Sequence, residues 1–290
     1  MNTNYWVYID YFIFTPNFDG DIEDYIVIIS KYNKLIFSDH NFEDIALKID
    51  CPDTLLYETP FICSKFNRPL GNSLNSLINL THLTLGRNFN KPLGNSLDNL
   101  INLTHLTFGN DFNKPLGNSL DNLINLTHLT FGNDFNESLG NSLDNLINLT
   151  HLSLCGYFNH SLSNVLYCLK KLEYLDLKCY FNQELILPSN IKIIGLDCGY
   201  RNSKKKQQLC NCSHIVDNLQ DSIIQLNLGE DFDSSLDNLP NSLKKIIFNE
   251  HCYFYSKKIN NLPIGLEILQ LPKNFNSERV IIPPNCKIFY

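Results

Sequence analysis

LGNSLDNLINLTHLTFGNDFNKP, residues 93–115, is followed at once by LGNSLDNLINLTHLTFGNDFN, residues 116–136, and the copies agree at every shared position. One 23-residue unit written twice in succession marks an array of one structural module. In such an array each unit buries its apolar face only against its neighbours, so the period predicts an elongated solenoid and overrides the domain count that 290 residues would otherwise suggest.

Working outward, the ruler is a Phe that follows each strand-like run. Phe66, Phe89, Phe112, Phe135, Phe158 and Phe181 stand 23 residues apart, and an apolar residue precedes each by four: Ile62, Leu85, Phe108, Phe131, Leu154 and Leu177. Backwards, Phe42 and Phe18 continue the ruler at 24-residue steps, with Phe14 at the four-residue offset and Phe37 missing it by one. Forwards, Leu196 and Tyr200 keep the offset. The pattern then breaks for RNSKKKQQLCNCSHIVDN, resumes at Leu228 and Phe232, and runs on through Phe254 and Phe275. Four segments follow: degenerate repeats or an N-terminal cap over 1–60, regular 23-residue repeats over 61–200, an inserted surface loop over 201–220, and degenerate C-terminal repeats over 221–290.

Within a unit, Leu106 and Phe108 lie two apart and share one face of a short strand, so His105 and Thr107 face the other way. Parallel copies at about 4.8 Å spacing supply the hydrogen bonds that so short a strand lacks alone. Gly109-Asn110 and Pro115-Leu116-Gly117 are turn signals. The return segment places Leu120, Leu123 and Ile124 at three-to-four spacing, which predicts a short α or 3₁₀ turn with Ser119 near its start. The Asn after each Phe (Asn90, Asn113, Asn136, Asn159, Asn182) is expected to stack as a buried amide that satisfies backbone groups of its own loop and the next coil. About 12 to 13 coils should span roughly 55–60 Å at the strand spacing.

The L-x-x-L-x-L run at Leu103, Leu106 and Phe108 resembles the leucine-rich repeat. Together with T-H-L-T-F-G, the Phe-Asn-Lys-Pro-Leu run at Phe89–Leu93 and Phe112–Leu116 is similar to the FNIP repeat, a leucine-rich-repeat-like family of amoebae and the giant viruses that infect them. The resemblance is most specific over Phe66–Phe181. It implies an α/β, leucine-rich-repeat-like parallel solenoid with short strands on one face and short 3₁₀ or α turns on the other, in a protein of the cytoplasm, or of the host cytoplasm if viral. Many FNIP proteins carry an N-terminal F-box, which implies, as an alternative function, service as the substrate-recognition subunit of a cullin-RING ubiquitin ligase, with ligase components as partners. Residues 1–60 show no L-P-x-E-I-type opening and no recognisable F-box.

Composition narrows the function. Hydrophobic residues make up 43% and charged residues only 18%, so the surface relies on Asn, Ser and Thr, and a formal net charge of −7 argues against nucleic acid as partner. The first twenty residues lack a basic n-region and carry Asp10 inside their apolar run, unlike a signal peptide, and no run reaches membrane-spanning length. Ten scattered cysteines without an export signal are expected to be reduced thiols, so the N-L-T sequons at Asn79, Asn102, Asn125 and Asn148 are expected to go unmodified. Lys287–Tyr290 forms a last strand whose edge is open to pairing.

The candidate site is the row facing away from the core. His82, His105, His128 and His151 recur at one unit position, about 5 Å apart, and Thr84, Thr107, Thr130 and Ser153 run beside them. A linear ladder of imidazoles offers no tetrahedral closure, and no Cys or carboxylate recurs beside it, so the row is expected to bind a protein partner and not a metal. The alternative is a zinc-binding or metal-dependent enzymatic site at Cys198, Cys210, Cys212 and His214 around the insertion, with a Cys-x-Cys spacing tighter than zinc sites favour. The Asp98, Asp121, Asp144 and the Asp111, Asp134 columns repeat identical environments, which is not how an acid and a base are set apart. No phosphate loop, nucleophile elbow or His-Glu-x-x-His motif is present. No cofactor is implied, and the expected function is a non-enzymatic protein-interaction scaffold.

Overall fold

The computed structural model describes residues 4–50, 63–179, 181–197, 212–230, 232–252, 255–273 and 275–290. The chain forms two compact units, Met1–Leu149 and Thr150–Tyr290.

In the first unit, β1 (Tyr5–Tyr8) pairs antiparallel with β2 (Tyr11–Phe14), and β2 is followed by parallel β3 (Lys34–Phe37), β4 (His82–Thr84), β5 (His105–Thr107) and β6 (His128–Thr130). In the second, β7 (His151–Gly156), β8 (Tyr174–Cys179), β9 (Ile193–Leu196), β10 (Gln225–Leu228), β11 (Lys245–Phe248), β12 (Ile268–Gln270) and β13 (Lys287–Phe289) pair in parallel, in chain order. Among the described residues the α-helices are short: α1 (Ile26–Ile29), α2 (Phe42–Asp50), α3 (Ser163–Cys168) and α4 (Ser213–Val216). This is a parallel solenoid of about eleven turns; among the described residues β2–β6 and β7–β13 supply twelve parallel strands, within the 12 to 13 coils expected and one short of the count that includes Phe42.

The shortfall has a local cause. Lys34 pairs directly with His82, so no strand enters between β3 and β4, and the 24-residue step to Phe42 does not add a coil there. Phe42 instead opens α2 and packs on Trp6 and Tyr8. Phe37 is the core residue of β3 and stacks on Phe66 at 4.4 Å, as Phe108 stacks on Phe112 at 4.2 Å and Phe14 on Phe18 at 3.8 Å. Phe66 is therefore the spine residue of the β3 coil, although it lies 29 residues after Phe37 in the sequence. Ile62, the offset residue expected there, lies outside the described residues.

The core is a Leu wall with a Phe spine. Phe66, Phe89, Phe112 and Phe135 are buried and stack at 6.1 Å between neighbours, with interplanar angles of 5° to 8°. In the second unit Phe158 and Phe181 stack at 6.4 Å. Further on, Tyr255 takes the spine position between Phe232 and Phe275, at 6.0 and 6.1 Å. Phe254, which the ruler selected, lies outside the described residues.

The return segments are successive tight turns, with Ser96, Asp98, Leu100 and Leu103 each donating a backbone hydrogen bond to the carbonyl three residues back. Three residues per turn puts every third side chain inward, so Leu97, Leu100 and Leu103 are buried. The same geometry turns Ile124 outward: with Ile78, Ile101 and Ile147 it is 48–58% exposed. Gly117 enters this segment at φ +53, as the turn requires, and Gly109 allows close approach of coils, since a Cβ there would lie 2.1 Å from the Gly86 carbonyl oxygen.

Candidate functional site

Identical coils can stack only if the irregular backbone between strands is satisfied at every level. Three side-chain ladders do this. Asn67, Asn90, Asn113 and Asn159 each accept, through Oδ1, the backbone N–H of the Asn one coil on, at 2.9–3.0 Å. The expected Asn ladder exists, but its members are half-buried or exposed and not buried, because they cap the coil-to-coil contact at the rim of the turn. The sequon asparagines form a second ladder, with Asn102, Asn125 and Asn148 donating to the carbonyls of Ile78, Ile101 and Ile124 at 2.8–2.9 Å. The sequon threonines form the third, Thr81, Thr104 and Thr127 donating through Oγ1 to the carbonyls of Asn33, Thr81 and Thr104 at 3.0–3.1 Å. A glycosylation motif in the sequence is thus a stacking motif in the fold.

The histidines follow these threonines. In β4, β5 and β6 the central Leu is buried and the flanking His and Thr are half-buried on the outer face. The parallel register places His82 on His105 and His105 on His128, with ring centroids 4.1 and 4.2 Å apart and planes within 6° and 9°. The rings are closer than the strand spacing alone suggests. Each Nδ1 sits 2.9 Å from the Oγ1 of the preceding Thr. Thr84, Thr107 and Thr130 form the adjoining row. In the second unit, His151 opens β7 with Nδ1 2.8 Å from Thr150 Oγ1 and its ring on Tyr174 at 5.4 Å. Ser153 lies beside Asp176, at 3.5 Å between Oγ and Oδ2. Asp176 is 4% exposed and is accommodated by Gly195, where a Cβ would stand 2.1 Å from Oδ1.

Burial holds the imidazole of His82 below its ordinary range, and nearby Lys34 acts in the same direction. Lys34 is itself 3.2 Å from Asp10, which opposes the effect. His151 is lowered by burial against a pull upward from Glu173. Off the C-terminal ends of the strands, Arg87 lies 3.8 Å from Asp111, and Asp134 is pushed up by burial and by Asp111.

The outer face at β1–β3 is different. There Ile13 and Ile36, which occupy the register of Thr84, pack against Ile45 of α2, with Trp6, Tyr8, Tyr11 and Ile49 around them. Tyr8 also donates to Asp50 at the end of α2, at 2.7 Å. One face of the first unit therefore carries an apolar zone covered by a helix of the chain, followed by the polar His and Thr zone. Nothing in the 23-residue pattern signals this, since α2 falls where the ruler expected a repeat.

Of the alternative metal set, Cys198 and Cys210 lie outside the described residues. Cys212 and His214 address different carbonyls, Cys212 Sγ being 3.9 Å from Asp197 O and His214 Nε2 3.3 Å from Gln183 O. Among the described residues no three or more His, Cys, Asp or Glu are grouped to hold a metal ion, and no helix is long and apolar enough to cross a membrane.

No family model and no curated protein matches this sequence. Among solved structures, the chain is similar to CroV588, a circular leucine-rich-repeat protein, with 23% identity and a TM-score of 0.52 over 99% of this chain and 50% of that one. It is also similar to an internalin of Listeria monocytogenes, at 15% identity and TM-score 0.48 over 97% and 86% of the two chains, and to the leucine-rich-repeat domain of APL1, at 12% and 0.49 over 89% and 74%. The chain spans about half the length of CroV588. Fold and comparison together define the class: a leucine-rich-repeat-like solenoid.

Proposed function

We propose that this protein is a non-enzymatic interaction scaffold of the FNIP-repeat type that binds a protein partner through the outer face of its strands. The observation that carries this reading is the ordered, half-exposed array of His82, His105 and His128 beside Thr84, Thr107 and Thr130. Stacked rings and short strands hold these groups in place before contact, which removes much of the ordering cost of binding. The FNIP assignment rests on the Phe-Asn-Lys-Pro-Leu runs and on the Phe spine and Asn ladder they build. His151 and Ser153 extend the reading to the second unit.

The test is affinity purification with three forms of the full chain: intact, with His82, His105, His128 and His151 all replaced by Ala, and with Ile101→Asn on the flank as control. The reading expects a partner held by the intact chain and the control and lost by the histidine variant. Retention by the histidine variant would sink it. Recovery of a cullin adaptor with residues 1–60 would add the ligase role that the family resemblance implies.

A further inference from the structure

The return segments of the first unit spend most of their polar groups on stacking. Asn99 and Asn122 donate to the carbonyls of Asn75 and Asp98 at 3.2 Å, beside the bonds of Asn102, Asn125 and Asn148 to the isoleucine carbonyls. Other carbonyls of the segment, those of Leu93, Asn95, Leu97 and Leu100, close its three-residue turns. Two columns of side chains take no part in these ladders. One is Ile78, Ile101, Ile124 and Ile147, which project into solvent. The other is Asp98, Asp121 and Asp144, half-buried or exposed. With three residues per turn, positions three apart lie one above the other, so each Asp shares an edge of its segment with the Ile that follows it.

Four isoleucines about half exposed offer on the order of 400 Å² of apolar area, the size at which a patch on a monomer marks a contact site. Stacking does not call for them, since a polar residue there would leave the backbone carbonyls bonded as they are. Ile78 recurs in a coil whose adjacent positions are Asn75 and Ser76 in place of Asp and Asn. The segments 70–81, 93–104, 116–127 and 139–150 contain no Lys, Arg or Glu, and Asp98, Asp121 and Asp144 are their only charges. Arg68, Lys91 and Lys114 stand before these segments, across the left-handed Gly71, Gly94 and Gly117, so the basic column is set apart from the acidic one.

These features select the occupant. A second copy would bring Asp columns together, and the apolar area falls well short of the roughly 800 Å² per partner that stable interfaces bury. An added strand finds few open carbonyls to pair with, because turns and Asn side chains engage them. A helix meets such a face through side chains alone and sets an apolar stripe beside a charged one, with a pitch of about 5.4 Å against coils 6.1 Å apart at the Phe spine. We propose that the return face of the first unit docks a basic amphipathic helix of a partner protein, its apolar stripe on the four isoleucines and its Lys or Arg stripe on Asp98, Asp121 and Asp144. This surface is separate from the strand face and does not depend on the histidine row.

Isoleucine-methyl NMR of the full chain tests it, with an alanine-based helical peptide of about four turns bearing Leu along one stripe and Lys along the next. Submillimolar peptide should shift the methyl signals of Ile78, Ile101, Ile124 and Ile147 and leave those of the buried Ile13 and Ile36 in place. Replacing Lys by Glu in the peptide, or Asp98, Asp121 and Asp144 together by Asn in the protein, should weaken binding at least tenfold. Ile101→Asn with Ile124→Asn should abolish it, and because both side chains are exposed the remaining methyl spectrum should stay that of the folded chain. No shift at millimolar Lys peptide, equal binding of the Glu peptide, or shifts confined to other isoleucines would overturn the proposal. So would methyl shifts that follow protein concentration without peptide, which make a second copy the occupant, or shifts with phosphatidylcholine vesicles and none with peptide, which make a membrane the occupant. In affinity purification the two surfaces separate as well: a return-face partner is lost with Ile101→Asn and held by the histidine variant, the reverse of a strand-face partner.

Discussion

Replacing Phe112 with Ala tests the inward and outward assignment on which everything else depends. Its ring is fully buried, 4.2 Å from Phe108 within its coil and 6.1 Å from Phe89 and Phe135 on either side. Removing it forfeits about 2 kcal/mol of apolar transfer. It also leaves a void of roughly 100 Å³ between neighbours held by their own coils, worth about 2 kcal/mol more at the usual cavity slope. The expected loss is thus about 4 kcal/mol. Thr107, five residues earlier on the outer face, should cost under about 0.5 kcal/mol as Ala. Urea unfolding followed by far-ultraviolet circular dichroism measures both. Because a solenoid couples nearest neighbours, amide exchange should show the Phe112 damage concentrated in the coils of β4, β5 and β6. Equal costs for the two variants, or damage spread evenly along the chain, would refute the facing and the spine together.

Two glycines should separate close approach from backbone conformation. Gly117→Ala, at φ +53 with open space around a Cβ, should cost about 1–2 kcal/mol, and Gly109→Ala, whose Cβ meets the Gly86 and Arg87 backbone, about 3 kcal/mol or more; thermal unfolding in the reverse order would contradict the coil contacts. Asn113→Ala should cost about 1 kcal/mol and speed exchange of the Asn136 amide, while Asn113→Asp keeps the acceptor and should spare it. His82 and His151 titrate below their ordinary value in the folded chain, so the unfolded chain binds more protons between that depressed value and about 6.5; their stabilisation is whole above pH 6.5 and is lost as pH falls through that window. Urea midpoints at pH 8 and pH 5 should differ less in a His82→Gln, His151→Gln double variant, with Lys34, Asp10, His128 and Glu173 as the neighbouring charges that set the residual slope.

The alternation of His105, Leu106 and Thr107 was legible because a strand has period two, and the spine because Phe recurs at a fixed step. What escaped was whatever depends on where the chain goes between coils. Phe42 and Phe66 are equivalent by spacing, yet only Phe66 returns to the spine, since α2 carries Phe42 to the outer face. Ile124 fits the three-to-four spacing by count but is exposed, because the segment takes the three-residue turns of the expected pair of alternatives, which put Leu120, Leu123 and Leu126 inward. That Tyr255 stacks on Phe232, one residue beyond the step of the ruler, is visible only in the packing. The roles of Thr104 and Asn102 were hidden behind a sequon, a pattern with a biological meaning that masked a mechanical one.

The ladders also bear on whether the histidine row is more than a by-product of copying. Identical coils require Asn113, Asn125 and Thr127 at their positions, because each closes a backbone group of the neighbouring coil. They do not require His128. Its Nδ1 lies 2.9 Å from the Thr127 hydroxyl and its ring stacks on His105 on the outer face, and neither contact closes a backbone group. Stacking three half-buried imidazoles is a cost the architecture could avoid with Ser or Gln at the same position, while the Thr ladder stayed intact. Substituting Gln at His82, His105 and His128 therefore separates the two accounts. If the row is inert, the variant should be at least as stable as the parent near pH 6 and bind every partner equally well; if it is the contact surface, the same gain in stability should come with a loss of binding.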